Sequence, residues 1–365
     1  MIVPRDESDR SAETPFGSRP NVRVSLPLLD PSTQRPVYAM GPRSLASVRL
    51  LRMSVTDRCN LRCVYCMPED GVEFVDKEEL LRAEDFEAVA KAAIGLGIPS
   101  VKLTGGEPTI RRDLLEIVER IAALGPHDLS MTTNGLQLPR LADRLRAAGL
   151  DRLTLSLDSI DPDRYAKITG GGRLELFWRG VEAARDAGFE RLKFNVVVLR
   201  GINDDEVESL AALSMDHPWT IRFIEYMPLG ESRIIGDGDP RGAIVDSVEL
   251  RERLARRFGP LEAVDKCGEA GVGPAEVWRL PGALGRVGFI SAMSQPFCET
   301  CNRLRLTSTG QLRSCLFEGG EVDALTALRP HADPARLREL FAECVAMRPE
   351  VHGQRGNRAM SQIGG

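Results

Sequence analysis

Between residues 50 and 228 the chain repeats one pattern six times: a short apolar run, then polar loop residues and a segment with helical apolar spacing. The runs are RLLRMSV, SVKLTGG, DLSMTTNG, LDRLTLSLDSI, RLKFNVVVL and TIRFIEYMP. The helical segments between them include EDFEAVAKAAIGLG, RRDLLEIVERIAALG, LPRLADRLRAAGL, LELFWRGVEAARDAG and DEVESLAALSM. A helix after each strand returns the chain to the same edge, so the strands must run parallel. The runs are nearly continuous, as strands covered on both faces are. The expected fold is therefore α/β. Six units are two short of a closed (β/α)8 barrel, which predicts an open or incomplete (β/α)6 TIM-like barrel. Ligands of such folds gather at the C-terminal ends of the strands.

The polar motifs lie at those ends. A cysteine loop follows the first run, and Thr104-Gly105-Gly106-Glu107-Pro108 ends the second. Thr132-Thr133-Asn134-Gly135 ends the third and Ser156-Leu157-Asp158-Ser159 the fourth. After about Leu229 the pattern changes. SVELRERLARRFG and PARLRELFAECVAM read as helices, EVWRL and GRVGFISAMS as strands, and RLRLTSTGQLRSCLF as a hairpin turning at Ser308-Thr309-Gly310. Four regions follow: an N-terminal extension (1–45), a barrel (46–229), a smaller C-terminal α+β domain (230–349) and a tail (350–365) without evident structure. The extension is rich in proline and polar residues and is expected to be mobile.

Charge and apolar content narrow the function. A formal net charge of -5 argues against broad nucleic-acid binding, which needs a basic surface. No stretch approaches the roughly 20 apolar residues of a membrane span, and the first residues lack a signal-peptide core. A cytoplasmic protein is expected, with cysteines that are not paired as disulfides.

The cysteines are grouped. Cys59-x3-Cys63-x2-Cys66 lies on the loop after the first strand, where three side chains can converge. Thiolates are the preferred ligands of iron-sulfur clusters. Three of them leave one iron of a four-iron cubane open to a cofactor or substrate. A zinc site would need a fourth ligand, and none is close in sequence. Cys298-x2-Cys301-x13-Cys315 is the second group, its last member returned by the hairpin. A cluster with an open iron is again indicated, and zinc completed by Cys267 or Cys344 is the alternative. Arg303 and Arg305 alternate on one strand, so they share a face, and guanidinium groups suit phosphate.

The Cx3CxxC loop, with an aromatic residue before its last cysteine, resembles the signature of the radical S-adenosylmethionine (SAM) superfamily. The stretch from about Arg49 to Gly365 resembles, more narrowly, the GTP 3′,8-cyclase family of molybdenum cofactor biosynthesis. LRMSVTDRCNLRCVYCMP, TGGEPTIRRDL, LTLSLDSID, NVVVLRGINDDE, IRFIEYMPLG, FCETCNRLRLTSTGQLRSCLF and the ending MSQIGG carry that resemblance. It implies two [4Fe-4S] clusters, on Cys59, Cys63 and Cys66 and on Cys298, Cys301 and Cys315, the second in the C-terminal domain. SAM would meet Tyr65, Gly106, Ser156 and Met227. GTP would meet Arg52, Lys102, Thr132, Lys193, Arg303, Leu304 and Arg305, with its guanine on the second cluster. The family often has arginine where this chain has Lys102.

The implied reaction is a lyase step. A 5′-deoxyadenosyl radical takes hydrogen from C3′ of GTP, and C3′ attacks C8 of guanine to give (8S)-3′,8-cyclo-7,8-dihydro-GTP. Arg303, Arg305 and the terminal Gly364 and Gly365 would take part in catalysis. The implied partners are cyclic pyranopterin monophosphate synthase and an electron donor such as flavodoxin or ferredoxin, with a homodimer compatible. The competing expectation is a radical SAM peptide maturase with an auxiliary cluster.

Overall fold

In the computed structural model the six apolar runs form β1 (Leu50–Ser54), β2 (Ser100–Thr104), β3 (Asp128–Thr133), β4 (Arg152–Ser156), β5 (Lys193–Val198) and β6 (Thr220–Glu225). They lie side by side in chain order and all pair in parallel. The structure describes residues 43–67, 73–229, 240–264, 273–318 and 320–353, then 356, 358 and 360–363. All of these belong to one unit, Tyr38–Gly365. Most of the N-terminal extension, Cys267 and the terminal Gly364 and Gly365 lie outside the described residues.

The helices that join these strands are α1 (Ala83–Gly95), α2 (Leu114–Ala122), α3 (Leu138–Ala147), α4 (Pro162–Thr169), α5 (Leu174–Asp186) and α6 (Val207–Asp216). Their apolar faces cover one side of the sheet. Phe86 and Val89 of α1, Ile117 and Ile121 of α2 and Phe177 of α5 share a core with Leu51, Met53, Leu103, Met131, Leu155 and Phe194 of the strands. Helix α4 is absent from the periodicity reading, although its signals are present. Asp161 caps it by accepting from the Arg164 amide at 2.7 Å, Pro162 opens it, and Gly170 ends it at φ 66°.

Beyond residue 229 come α7 (Ser247–Phe258), β7 (Glu262–Ala263), β8 (Glu276–Arg279), β9 (Arg286–Ile290), β10 (Arg303–Leu306), β11 (Gln311–Arg313), β12 (Glu321–Asp323), α8 (Leu325–Leu328), α9 (Pro334–Ala346) and α10 (Met360–Ile363). Their strands extend both edges of the same sheet. β9 adds to β6 in parallel and is followed outward by β8 and β7; β10 adds to β1 in parallel and is followed by β11 and β12. The outer pairs are antiparallel. The result is a mixed twelve-stranded sheet whose middle is the parallel set.

The tail departs from expectation. Met360–Ile363 turns into α10, and Ile363 packs, 1% exposed, against Leu229 and Phe317. Both partners are remote in sequence, so nothing local in the tail announces this burial.

Candidate active site

The open face of the sheet and the loops at its strand ends enclose one cavity, and all six grouped cysteines line it. The first group is held by the backbone on two sides. The Gly106 amide donates to the Thr56 carbonyl at 2.7 Å and the Glu107 amide to the Arg58 carbonyl at 2.8 Å. A β-carbon on Gly106 would stand 2.3 Å from the Arg58 carbonyl oxygen, so only glycine lets the cysteine loop lie on the end of β2. On the other side Arg62 and Val64 donate to the Thr169 and Ile168 carbonyls, both at 2.9 Å, at the end of α4. Burial pushes the Cys59, Cys63 and Cys66 thiols up; Glu107 adds to it at Cys59, Asp158 and the other two thiols at Cys63, and Cys59 at Cys66, which reaches about 12. Three thiolates here need a cation to be stable together.

The second group is held by side chains in addition to main-chain bonds from Arg49 and Leu50 to the Asn302 carbonyl at 2.8 and 3.1 Å. Arg348 is 3% exposed and donates to the Cys301 carbonyl at 2.7 Å and the Arg303 carbonyl at 2.6 Å. Glu225, at the end of β6, accepts from the Met293 and Ser294 amides at 2.8 and 2.9 Å, and so fixes the segment that leads to Cys298. His352 stacks on Phe317 at 4.0 Å and bonds the Ala292 carbonyl at 2.8 Å. The electrostatics differ from the first group at one thiol, since burial raises Cys298 too. Burial raises Cys301, but Arg303 and Arg348 outweigh it and leave this thiol below its ordinary value.

Between the groups the sheet register builds a cationic floor. Arg305 is opposite Arg52, Arg52 opposite Lys102, Lys102 opposite Ser130, and Ser130 opposite Arg152. Lys193 is paired in register with Thr154, and Arg222 with Asn195. Neighbours in register share a face, so Arg52, Lys102, Arg152, Lys193, Arg222, Arg303 and Arg305 all reach the cavity. Burial, then the mutual charge of Arg222, Arg52, Arg152 and Lys193, holds Lys102 well below its ordinary value. Burial, with Arg303 and Arg222, brings Arg52 down to about 9, and Arg305 is depressed in the same way. Some of this charge is balanced: Arg152 makes a bidentate ion pair with Asp128. The Lys102 ammonium donates to Thr154 Oγ1 at 3.0 Å, and an Arg222 nitrogen to the same oxygen at 3.3 Å. So many desolvated cations facing one space fit a polyanion.

Tyr65, Gly106, Ser156, Met227 and Thr132 also line the cavity. Leu304 does not: neighbours on a strand face opposite ways, and its side chain is wholly buried in the core behind β10. Glu107 is engaged by the protein itself. It accepts from the Thr133 hydroxyl and the Asn134 amide, both at 2.7 Å, and from the Thr109 amide at 3.0 Å. It thus ties the ends of β2 and β3 together.

The residues suit the clusters and small molecules that the motifs imply. The described cysteines are free thiols, and only Cys344 is buried away from the cavity. Among the described residues no three His, Cys, Asp or Glu stand together as a single-ion site. Thr132 Oγ1, Asn195 Oδ1 and the Tyr165 hydroxyl are buried in the cavity wall with no hydrogen-bond partner among the described residues, as atoms that meet a ligand would be.

Sequence reasoning missed Arg152, Arg222, Asn195, Asp158 and Glu225. Strand alternation was the available signal for two of them. Arg222 has buried Ile221 and Phe223 as neighbours, and Asn195 has Phe194 and Val196, so each had to face away from the helices.

Two family models divide the chain: the Radical SAM superfamily matches residues 53–213 and Molybdenum Cofactor Synthesis C matches residues 219–354. The GTP 3′,8-cyclase of Pelotomaculum thermopropionicum is 46% identical over 323 residues, covering 87% of this chain and 98% of the relative. That of Heliobacterium modesticaldum is 47% identical over 326 residues, with the same two coverages. Among solved structures, SuiB of Streptococcus suis matches at a TM-score of 0.56 with 14% identity, covering 80% of this chain and 64% of that one. At that identity the likeness is one of fold, and the chain spans 64% of SuiB's length.

Proposed function

The chain belongs to the GTP 3′,8-cyclase family of radical SAM enzymes, and from that premise we propose how its residues share the conversion of GTP to (8S)-3′,8-cyclo-7,8-dihydro-GTP. This is the first step of molybdenum cofactor biosynthesis. SAM and two [4Fe-4S] clusters, when bound, supply the one-electron chemistry that removes hydrogen from C3′ and lets C3′ bond to guanine C8.

The protein's part is to hold, orient and exclude. Cys59, Cys63 and Cys66 hold the cluster that faces SAM, beside Tyr65, Gly106, Ser156 and Met227. Cys298, Cys301 and Cys315 hold the second cluster, beside the guanine. Arg52, Lys102, Lys193, Arg222, Arg303 and Arg305 receive the triphosphate. The observation that carries this reading is the alignment of Arg305, Arg52 and Lys102 in one register across β10, β1 and β2, on a wall shared by both cysteine groups. A triphosphate answers the mutual repulsion that depresses Lys102, Arg52 and Arg305. Thr132 offers a buried hydroxyl to the same ligand. Leu304 contributes through its backbone only, since its side chain faces the core.

The finer architecture belongs to the same proposal: the parallel set curves as an incomplete (β/α)6 barrel (46–229), and the C-terminal region (230–349) carries the second cluster. Gly364 and Gly365, outside the described residues, take part in catalysis on this reading. Two contacts favour this: Met360 lines the cavity, and the Ser361 amide hydrogen-bonds the Cys66 thiol. Cyclic pyranopterin monophosphate synthase uses the product, and a flavodoxin or ferredoxin class of donor supplies the electron. Among the described residues no helix is long and apolar enough to cross a membrane.

The peptide-maturase alternative draws only on fold. One SuiB structure holds a precursor peptide, and it is 15% identical to this chain. Anaerobic reconstitution, iron counting and product analysis with GTP tests the whole reading. The expected result is two clusters and the cyclised nucleotide; SAM cleavage without any GTP-derived product would overturn it.

A further inference from the structure

One buried carboxylate joins three segments that the reaction needs in register, yet it is no cysteine and no cation of the floor. Asp158 lies just past the end of β4 and is 2% exposed. Its Oδ2 accepts from the Tyr65 hydroxyl at 2.7 Å, and its Oδ1 from the Val197 amide of β5 at 2.9 Å. Tyr65 is the second of the two residues between Cys63 and Cys66, 8% exposed, with its side chain on the cavity.

The backbone of Asp158 is itself fixed. The Asn203 side-chain amide donates to the Asp158 carbonyl at 2.7 Å and to the Val197 carbonyl at 2.9 Å. Its Oδ1 accepts from the Leu199 amide at 2.7 Å, and the residue is 1% exposed. Asn203 thus anchors Asp158, and Asp158 anchors Tyr65. Every donor in this chain is matched to an acceptor, which is how a buried polar network gains rigidity rather than costing stability.

The rest of the cysteine loop is held by backbone bonds to the end of β2 and to α4, and by Asn60 Oδ1 accepting from the Asn134 side chain at 2.8 Å. Those bonds engage residues 56, 58, 60, 62 and 64, all ahead of Tyr65. The Tyr65–Asp158 bond is the side-chain tie that the turn between the last two cysteines makes to the barrel. A side-chain hydrogen bond to a buried carboxylate is directional, so it fixes the ring as well as the turn.

We propose that Asp158 is a positioning residue that acts through the Tyr65 hydroxyl, setting where Cys63 and Cys66 and the Tyr65 ring face the cavity. The proposal rests on the reading that Cys59, Cys63 and Cys66 hold a cluster that SAM approaches. Burial raises the Asp158 carboxyl to about 6, with the bonds from Val197 and Tyr65 pulling the other way, so those two donors are what sustain its anion.

The test uses the full chain, anaerobically reconstituted, in three variants: Tyr65→Phe, Asp158→Asn and both together. Tyr65→Phe is the mild probe, because it deletes one hydroxyl and leaves the ring. Asp158→Asn keeps the shape but cannot accept through both positions. Iron content, the electron paramagnetic resonance spectrum of the reduced protein with and without SAM, and SAM affinity are measured. The expected outcome is native iron content, an altered spectrum on adding SAM, and a five- to twentyfold loss of SAM affinity in each single variant. The double variant should be no worse than the worse single one, since both remove the same bond. A native spectrum and native SAM affinity in Tyr65→Phe would overturn the proposal, as would additive losses in the double variant. If the unaltered protein takes up no iron at this group, the underlying cluster reading fails instead, and the two failures are thereby told apart.

Discussion

The two cysteine groups open on one cavity but are built differently. The first is contiguous in sequence and is held largely by main-chain bonds to the end of β2 and to α4. The second gathers a turn, a hairpin return and remote supports: Arg348, Glu225 and His352. Their charge follows the construction. Burial raises the thiols of the first and Cys298 of the second, whereas arginines pull Cys301 of the second below its ordinary value. The buried charged groups that act on the thiols of the first are carboxylates, Glu107 and Asp158. A site assembled by arginine side chains brings cations with it, and in this cavity those cations continue directly into the floor that suits a triphosphate. The difference therefore tracks the proposed division of labour: cofactor at the first group, nucleotide at the second.

The widest break in the comparison comes from the ligands themselves. Cys63→Ser should reduce SAM cleavage to background while leaving iron at the second group, because a hard oxygen is a poor substitute for thiolate. Cys301→Ser should keep uncoupled SAM cleavage and lose the cyclised nucleotide. Iron counting and 5′-deoxyadenosine assay of both variants check this. Equal loss of SAM cleavage in the two would mean that the groups do not act separately.

Next in size is the floor between them. Arg305→Ala should weaken GTP by about 1.5–3 kcal/mol, the worth of a charge-assisted contact, which is roughly ten- to a hundredfold. Guanosine, lacking phosphates, should lose little. Calorimetric titration with both ligands measures the contrast, and an equal loss for both would move Arg305 away from the triphosphate.

Legibility in the sequence followed the same line between local and remote. The six parallel strands, the cysteine loop and the alternation of Arg303 with Arg305 rest on periodicity and spacing, which a sequence carries on its face. The joining of β9 to β6 and of β10 to β1 is long-range pairing, and no local pattern encodes it. Arg222 and Asn195 were hidden for another reason: in a nearly continuous apolar run a single polar residue looks like an interruption rather than a face. Leu304 shows the converse. It sits between two cavity arginines in sequence, and the strand turns it to the core.

A smaller effect probes the main-chain clamp on the first group alone. Gly106→Ala places a methyl 2.3 Å from the Arg58 carbonyl, so the cysteine loop must shift. Overpacking of this kind costs about 1–3 kcal/mol. The expected outcome is iron deficient at the first group with the second filled and GTP affinity unchanged. Full iron with unaltered SAM cleavage would show that the loop yields freely.

The smallest expected effect asks whether the two groups stand on one cooperative body. Asp85, near the start of α1, forms a bidentate ion pair with Arg329, which follows α8 in the C-terminal region. The carboxylate is buried, at 5% exposure, and the guanidinium is 41% exposed. Burial alone would raise the Asp85 carboxyl, but Arg329 and the Arg82 amide outweigh it and leave it below its ordinary value. A carboxyl depressed on folding adds stability above its unfolded value, near 4, and that contribution fades as pH falls through the folded value. Half of the pair is open to water, so its worth lies near that of a surface pair, about 0.5–1 kcal/mol. Asp85→Asn should therefore lower the melting temperature by about 2 °C at neutral pH and by less at pH 3. The form of the transition matters more than the shift. Strands of the C-terminal region extend both edges of the parallel sheet, so the two regions should melt together in one transition that moves as a whole. Calorimetry of the apoprotein that resolves a second transition, with only one of the two moved by Asp85→Asn, would mean that the cysteine groups sit on separately folding bodies.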